Sequence, residues 1–112
     1  MANKRKSKRT CMMNSAEIVV PKWDKPVDCF VVNVSYGGIG MYVPQQIPEG
    51  TDVAVRIIYN EGNGRRIIET LLGTSRWCRP MGSWFGLGIE FKYLNPKDHG
   101  RLLNFLAQHE EE

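Results

Sequence analysis

Residues 1–10, "MANKRKSKRT", place Lys4, Arg5, Lys6, Lys8 and Arg9 together with no acidic side chain, a charge of +5. The whole chain carries fifteen basic and twelve acidic residues, so the excess basicity sits in this short arm and the rest is slightly acidic. Such a run repels itself and stays flexible until an anion or an acidic surface orders it. A second stretch, "NVSYGGIG" at residues 33–40, combines an amide, a hydroxyl and three glycines directly after an apolar run. Amide and hydroxyl are hydrogen-bonding groups, and the glycines remove the bulk that would keep a ligand away from the backbone.

Chemistry of other kinds is poorly represented. The sequence contains no HExxH, P-loop or nucleophile elbow, and no Ser/His/Asp or Cys/His arrangement that it places together, so no catalytic residue is assigned. Cys11, Cys29 and Cys78 are widely spaced, form no CxxC pair and have no histidine nearby to complete a metal site. Reduced thiols in a cytoplasmic protein explain them, with Cys29 and Cys78 as small apolar core fillers. His99 and His109 fall about 80° apart around a helix and read as surface or capping residues, not as a metal pair. A binding module is the more economical class.

The elements that must position these groups are mostly strands. Glu17–Val20, Val27–Ser35, Ile39–Val43, Thr51–Tyr59, Arg65–Arg79 and Phe85–Tyr93 are β-prone runs separated by Pro, Gly and Asn. In the fourth, Val53, Val55, Ile57 and Tyr59 alternate with smaller or polar residues, as a half-buried strand requires. "NEGNG", residues 60–64, offers Asn63 and Gly64 for the positive φ of a hairpin reversal. The period then changes: Asn95 is placed to cap a helix with Pro96 at its first position, and Leu102, Leu103 and Leu106 share a face. These features predict an all-β fold: a six-stranded antiparallel β-barrel with a C-terminal α-helix packed against it and a flexible basic N-terminal arm. The chain of 112 residues has room for one such domain, divided as arm 1–14, barrel 15–94 and helix 95–109. No apolar run is long enough to cross a membrane, and no membrane insertion is expected.

"RKSKR" is RxxxR and "NVSYGG" is (D/N)xSxxG, in this order, ahead of a six-strand pattern. On these two motifs the sequence resembles the PilZ family of bacterial receptor domains for cyclic di-GMP. "GTSRW", residues 73–77, and "FGLGIEF", residues 85–91, are similar to the later strands of that family. The resemblance implies a PilZ-type barrel and a receptor that uses no cofactor other than its ligand, cyclic di-GMP. It implies that Arg5, Arg9, Asn33, Ser35 and Gly38 bind that ligand, with Lys4, Gly37 and Trp77 as further candidates.

The implied ligand has two phosphodiester anions and two guanines. Guanidinium groups suit both, because they bind phosphate bidentately, pair with guanine O6 and N7, and stack on a purine. In an extended arm, Arg5 and Arg9 lie about 13 Å apart on one side and so reach different parts of the ligand. Asn33 stands where many relatives carry Asp, which keeps the hydrogen bonds and removes a charge. Trp77 is open to two readings, stacking on a guanine or packing on the barrel with Trp84 and Phe85.

Binding is expected to order the arm and to signal to an unidentified downstream protein in trans. Two other readings belong to the same sequence. One is a PilZ-fold adaptor of motility or pilus machinery that does not use the nucleotide. The other is a small nucleic-acid-binding β-barrel with a basic arm, against which the acidic balance of the body argues: no DNA or RNA partner is expected.

Overall fold

A computed structural model of the protein describes residues 10–110. Six strands, β1 (Thr10–Val19), β2 (Val27–Val34), β3 (Gly38–Val43), β4 (Asp52–Asn60), β5 (Arg66–Met81) and β6 (Trp84–Phe91), precede one helix, α1 (Gly100–Glu110). Each strand pairs antiparallel with its neighbours in the order β1-β2-β3-β6-β5-β4, and β4 returns to β1 to close a barrel. Closure removes the free edges that strands this rich in Val and Ile would otherwise offer to other chains. β1 starts at Thr10, so residues 10–14, which the sequence suggested for the arm, run within this strand.

The period-2 pattern decides which side chains fill the barrel. Val53, Val55 and Ile57 of β4 are buried, as are Ala16 and Ile18 of β1, Cys29 and Val31 of β2 and Leu87 and Ile89 of β6. Their neighbours in sequence point outward. Burial, the dominant cause, with Asp28 and Glu17 nearby, pushes the Cys29 thiol up to about 12. The reversal between β4 and β5 is closed by Glu61 N–H donating to Arg65 O at 2.8 Å, and Gly64 takes a φ of 85°. Asn63 does not share that conformation; its Oδ1 accepts from Arg65 N–H instead.

The C-terminal segment departs from expectation in two ways. Asn95 does cap, its Oδ1 accepting from Asp98 N–H at 2.7 Å, but it caps a separate turn, and α1 begins only at Gly100. The N-terminal amides of α1 are satisfied by a carboxylate from the barrel: Glu69 of β5 accepts from Arg101 N–H at 2.7 Å and from Leu102 N–H at 3.1 Å. An anion here also meets the positive end of the helix dipole.

His99, assigned to the surface or to a cap, is 1% exposed. Its Nδ1 accepts from Asn95 N–H at 3.1 Å, so the ring proton sits on Nε2 and is donated to Thr70 O at 2.8 Å. The residue does cap a turn, but from inside the protein, pinning the approach to α1 onto β5. Leu102 and Leu106 then insert into the core. No helix among the described residues is long and apolar enough to cross a membrane.

Candidate functional site

Two interruptions of the ladder shape the outer face of β2, β3, β6 and β5. The pairing of β2 with β3 shifts between Val31 and Asn33, and that of β5 with β6 shifts between Ser75 and Trp77. An extra residue in one strand re-aims the side chains that follow it. Asn33 and Trp77 each stand just past such a shift, and both belong to one row across the sheet. Cys11 pairs with Asn33, Asn33 with Gly40, Gly40 with Gly88, and Gly88 with Trp77.

The two glycines in the middle of the row are covered by the side chains at its ends. A Cβ on Gly40 would lie 2.7 Å from Asn33 Oδ1, and one on Gly88 would run into the Trp77 indole. The asparagine amide and the indole ring therefore lie on a floor of backbone that only glycine leaves flat. Gly86, two residues from Gly88, extends this floor toward Arg79, its partner on β5. The Arg79 guanidinium carbon stands 5.2 Å from the Trp77 ring centroid, in cation–π contact. Asn33, Gly40, Gly86, Trp77 and Arg79 line, together with Tyr42 and Met81, a groove of about 340 Å³.

The remaining motif positions build the turn that leads into β3. Ser35 is 5% exposed; its N–H donates to Gly38 O at 2.9 Å, and its Oγ accepts from Gly37 N–H at 3.2 Å. A Cβ on Gly38 would collide with the carbonyl oxygen of Ile89, so glycine is required there for β6 to approach. Gly37 is exposed, and its carbonyl accepts from Phe91 N–H at 2.9 Å. Of the barrel motif, Asn33 lines the groove, while Ser35 and Gly38 hold the chain that presents it. Trp77 packs on the barrel, its indole lying over Gly88, and at 38% exposed it keeps part of its surface open to the groove.

Lys4, Arg5 and Arg9 lie outside the described residues. Their point of entry is nonetheless fixed, because Thr10 pairs with Val34 and Cys11 with Asn33. The basic arm thus joins the barrel beside the asparagine end of the groove. Gly40, Gly86, Gly88 and Arg79 were not singled out from the sequence, although a signal for the glycines exists. "GIG" and "FGLGIEF" repeat glycine at alternate positions, which in a strand bares one face. Among the described residues no group of His, Cys, Asp or Glu is placed to hold a metal ion.

A family model, that of the PilZ domain, matches residues 3–108. Among solved structures, the Bacillus subtilis inhibitor of motility, MotI/DgrA, superposes with a TM-score of 0.74 at 16% identity over 97% of this chain, which spans 52% of that protein. The PilZ domain of YcgR from Escherichia coli, solved with c-di-GMP, gives 0.69 at 14% identity, covering 97% of this chain and 93% of the other. The PilZ domain of CeSA from a cellulose-synthesizing bacterium gives 0.61 at 18%, covering 93% and 99%. No curated protein sequence matches.

Proposed function

The chain belongs to the PilZ domain family, and from that premise we propose that it is a cyclic di-GMP receptor that works by binding, without catalysis. The observation that carries this reading is the glycine floor between Asn33 and Trp77, opening next to the strand end from which the RxxxR segment departs. A guanine stacked on the open face of the indole, whose other face rests on Gly88, comes beside an amide that can both donate and accept. Arg79 adds a cation within the groove, and Arg5 and Arg9 supply the guanidinium forks for the phosphodiesters and the second base. The bound form of the YcgR domain, with the same fold, supports the choice of ligand.

In this reading Ser35, Gly37 and Gly38 act mainly by shaping the turn, and Lys4 adds charge. Arg5 and Arg9 close over the ligand, and the surface they then present is read by a partner protein in trans. The motility inhibitor among the structural neighbours, of which this chain spans about half, favours a partner that is itself a protein machine.

Titration calorimetry with cyclic di-GMP at near-physiological salt tests the proposal. Saturable binding is expected for the wild type, weakened roughly tenfold or more in Arg9→Ala and in Trp77→Ala, since stacking on one base is worth about 1–3 kcal/mol. The receptor reading fails if the wild type shows no saturable binding, or if both variants bind as it does. DNA or RNA binding with a steep salt dependence that the dinucleotide does not displace would favour the nucleic-acid reading.

A further inference from the structure

Below the groove, toward the start of β2 and the end of β5, the outer face changes character. Phe30 is 51% exposed, Met81 50%, Tyr42 38% and Trp84 37%. They form one patch: Phe30 pairs with Tyr42 across β2 and β3, and Met81 with Trp84 across β5 and β6. The Phe30 and Trp84 rings approach to 5.8 Å. Tyr42, Met81, Gly82 and Trp84 line a second hollow of about 490 Å³. Taking 150–250 Å² for a whole aromatic side chain, these four residues leave roughly 350 Å² of side chain open, the size at which surface patches mark interaction sites.

The charges beside this patch are arranged in an unusual way. Elsewhere on the barrel, Glu17 is paired with Arg56, Arg76 with Glu90, and Asp52 with Lys92. Asp28 and Arg79 flank the patch and make no ion pair among the described residues. Asp28 stands directly across from Glu17, a like charge whose own counterion is Arg56. Arg79 ends the row Phe30, Tyr42, Gly86, Arg79, three strand spacings or about 14 Å from β2. One unmatched acid and one unmatched base thus stand on opposite flanks of an apolar centre.

That arrangement is complementary to itself. A two-fold axis through the patch near Tyr42 sets Asp28 of one copy against Arg79 of the other, twice, and stacks the aromatic centres between them. We propose that this face is the interface of a homodimer, the occupant being a second copy of this chain. The contact is small compared with the 800 Å² per partner of a standard interface, so association on the order of micromolar strength or weaker is expected. Tyr42, Met81 and Arg79 also line the groove, so a ligand there would compete with the dimer for them, and the dimer is tested without it.

Sedimentation equilibrium without nucleotide, from about 1 to about 300 µM protein, brackets that range. The wild type is expected to pass from monomer to dimer. Asp28→Arg and Arg79→Asp should each weaken the dimer by about tenfold or more, and the double variant Asp28→Arg/Arg79→Asp should recover it, because the pair is re-formed with its signs exchanged. Both positions are exposed, and circular dichroism verifies that each variant is folded. A wild type that stays monomeric across the range overturns the proposal and leaves the patch to a different protein. So does a double variant no better than the singles.

Discussion

Substituting Gly88 by alanine isolates the part played by the glycine floor. Gly88 is not among the positive-φ glycines, which are Gly50, Gly64 and Gly82, so its backbone accepts alanine. On conformational grounds alone the change should stabilise by about 0.5–1 kcal/mol. Steric contact reverses the sign. The new Cβ would lie 2.8 Å from Trp77 Cδ1, with Nε1 and Cε2 nearer still, where carbon atoms are at ease only beyond about 3.5 Å.

The indole must therefore lift from the sheet. Trp77 is 38% exposed, so roughly 150 Å² of an aromatic side chain is covered. Uncovering a third to a half of that costs about 1–2 kcal/mol at 25 cal/mol/Å². The net expectation is a loss of about 1 kcal/mol, or about 5 °C in Tm for a domain of this size. Displacement of the stacking surface should also weaken cyclic di-GMP binding by roughly ten- to a hundredfold. Thermal unfolding and calorimetric titration read the two effects, and a double-mutant cycle with Trp77→Ala assigns their cause. In the Trp77→Ala background, Gly88→Ala should be neutral or stabilising. Equal damage in both backgrounds, or none in either, refutes the floor-and-wall account.

Ser35→Ala removes the oxygen that accepts from Gly37 N–H and should lower stability by about 1 kcal/mol together with affinity, while Asn33→Ala should lower affinity. Glu69→Gln removes the charge of the cap beneath α1 and replaces one of its two accepting oxygens by a donor, so a stability loss of about 1–3 kcal/mol is expected in urea denaturation. A Gln variant as stable as wild type would show that this cap contributes nothing there. Cys29 gives a pH test: its thiol ionises near 9.0 unfolded and at about 12 folded. The unfolded chain therefore releases a proton that the folded one keeps, and stability falls as pH rises above 9, at up to about 1.4 kcal/mol per unit. Cys29→Ala should show a shallower decline, and unchanged slopes would contradict the assignment.

How far the fold was legible follows from the kind of signal each element carries. All six strands were visible, because alternation such as Val53, Val55 and Ile57 reflects burial of one face directly, and Gly and Pro mark the turns. The C-terminal helix was visible through Leu102 and Leu106, but its start was not. Asn95 and Pro96 have the local chemistry of a helix N-terminus, yet the residue that caps α1 is Glu69, more than thirty positions away on β5. His99 was legible as a cap but not as a buried one, for a related reason. Its burial depends on the Thr70 carbonyl, a partner that no local pattern reveals.

The candidate site divides along the same line. Its motif residues were legible as types at fixed spacing, but their division of labour is a tertiary property. Ser35 has the chemistry of a ligand-binding hydroxyl, yet the turn engages it; Gly38 resembles a gap left for a ligand, yet Ile89 of β6 occupies the space. The surface that remains is made by register. Only the shifts at Asn33 and Trp77 bring those two side chains into one row with Gly40 and Gly88, and a slip of one residue in either strand would turn a wall of the groove into the core. Asn33 is thus held in place by the turn behind it, and Trp77 by the two glycines beneath it. A substitution that leaves every polar group of the groove intact but straightens either bulge should therefore abolish recognition as fully as removing Asn33 or Trp77 itself.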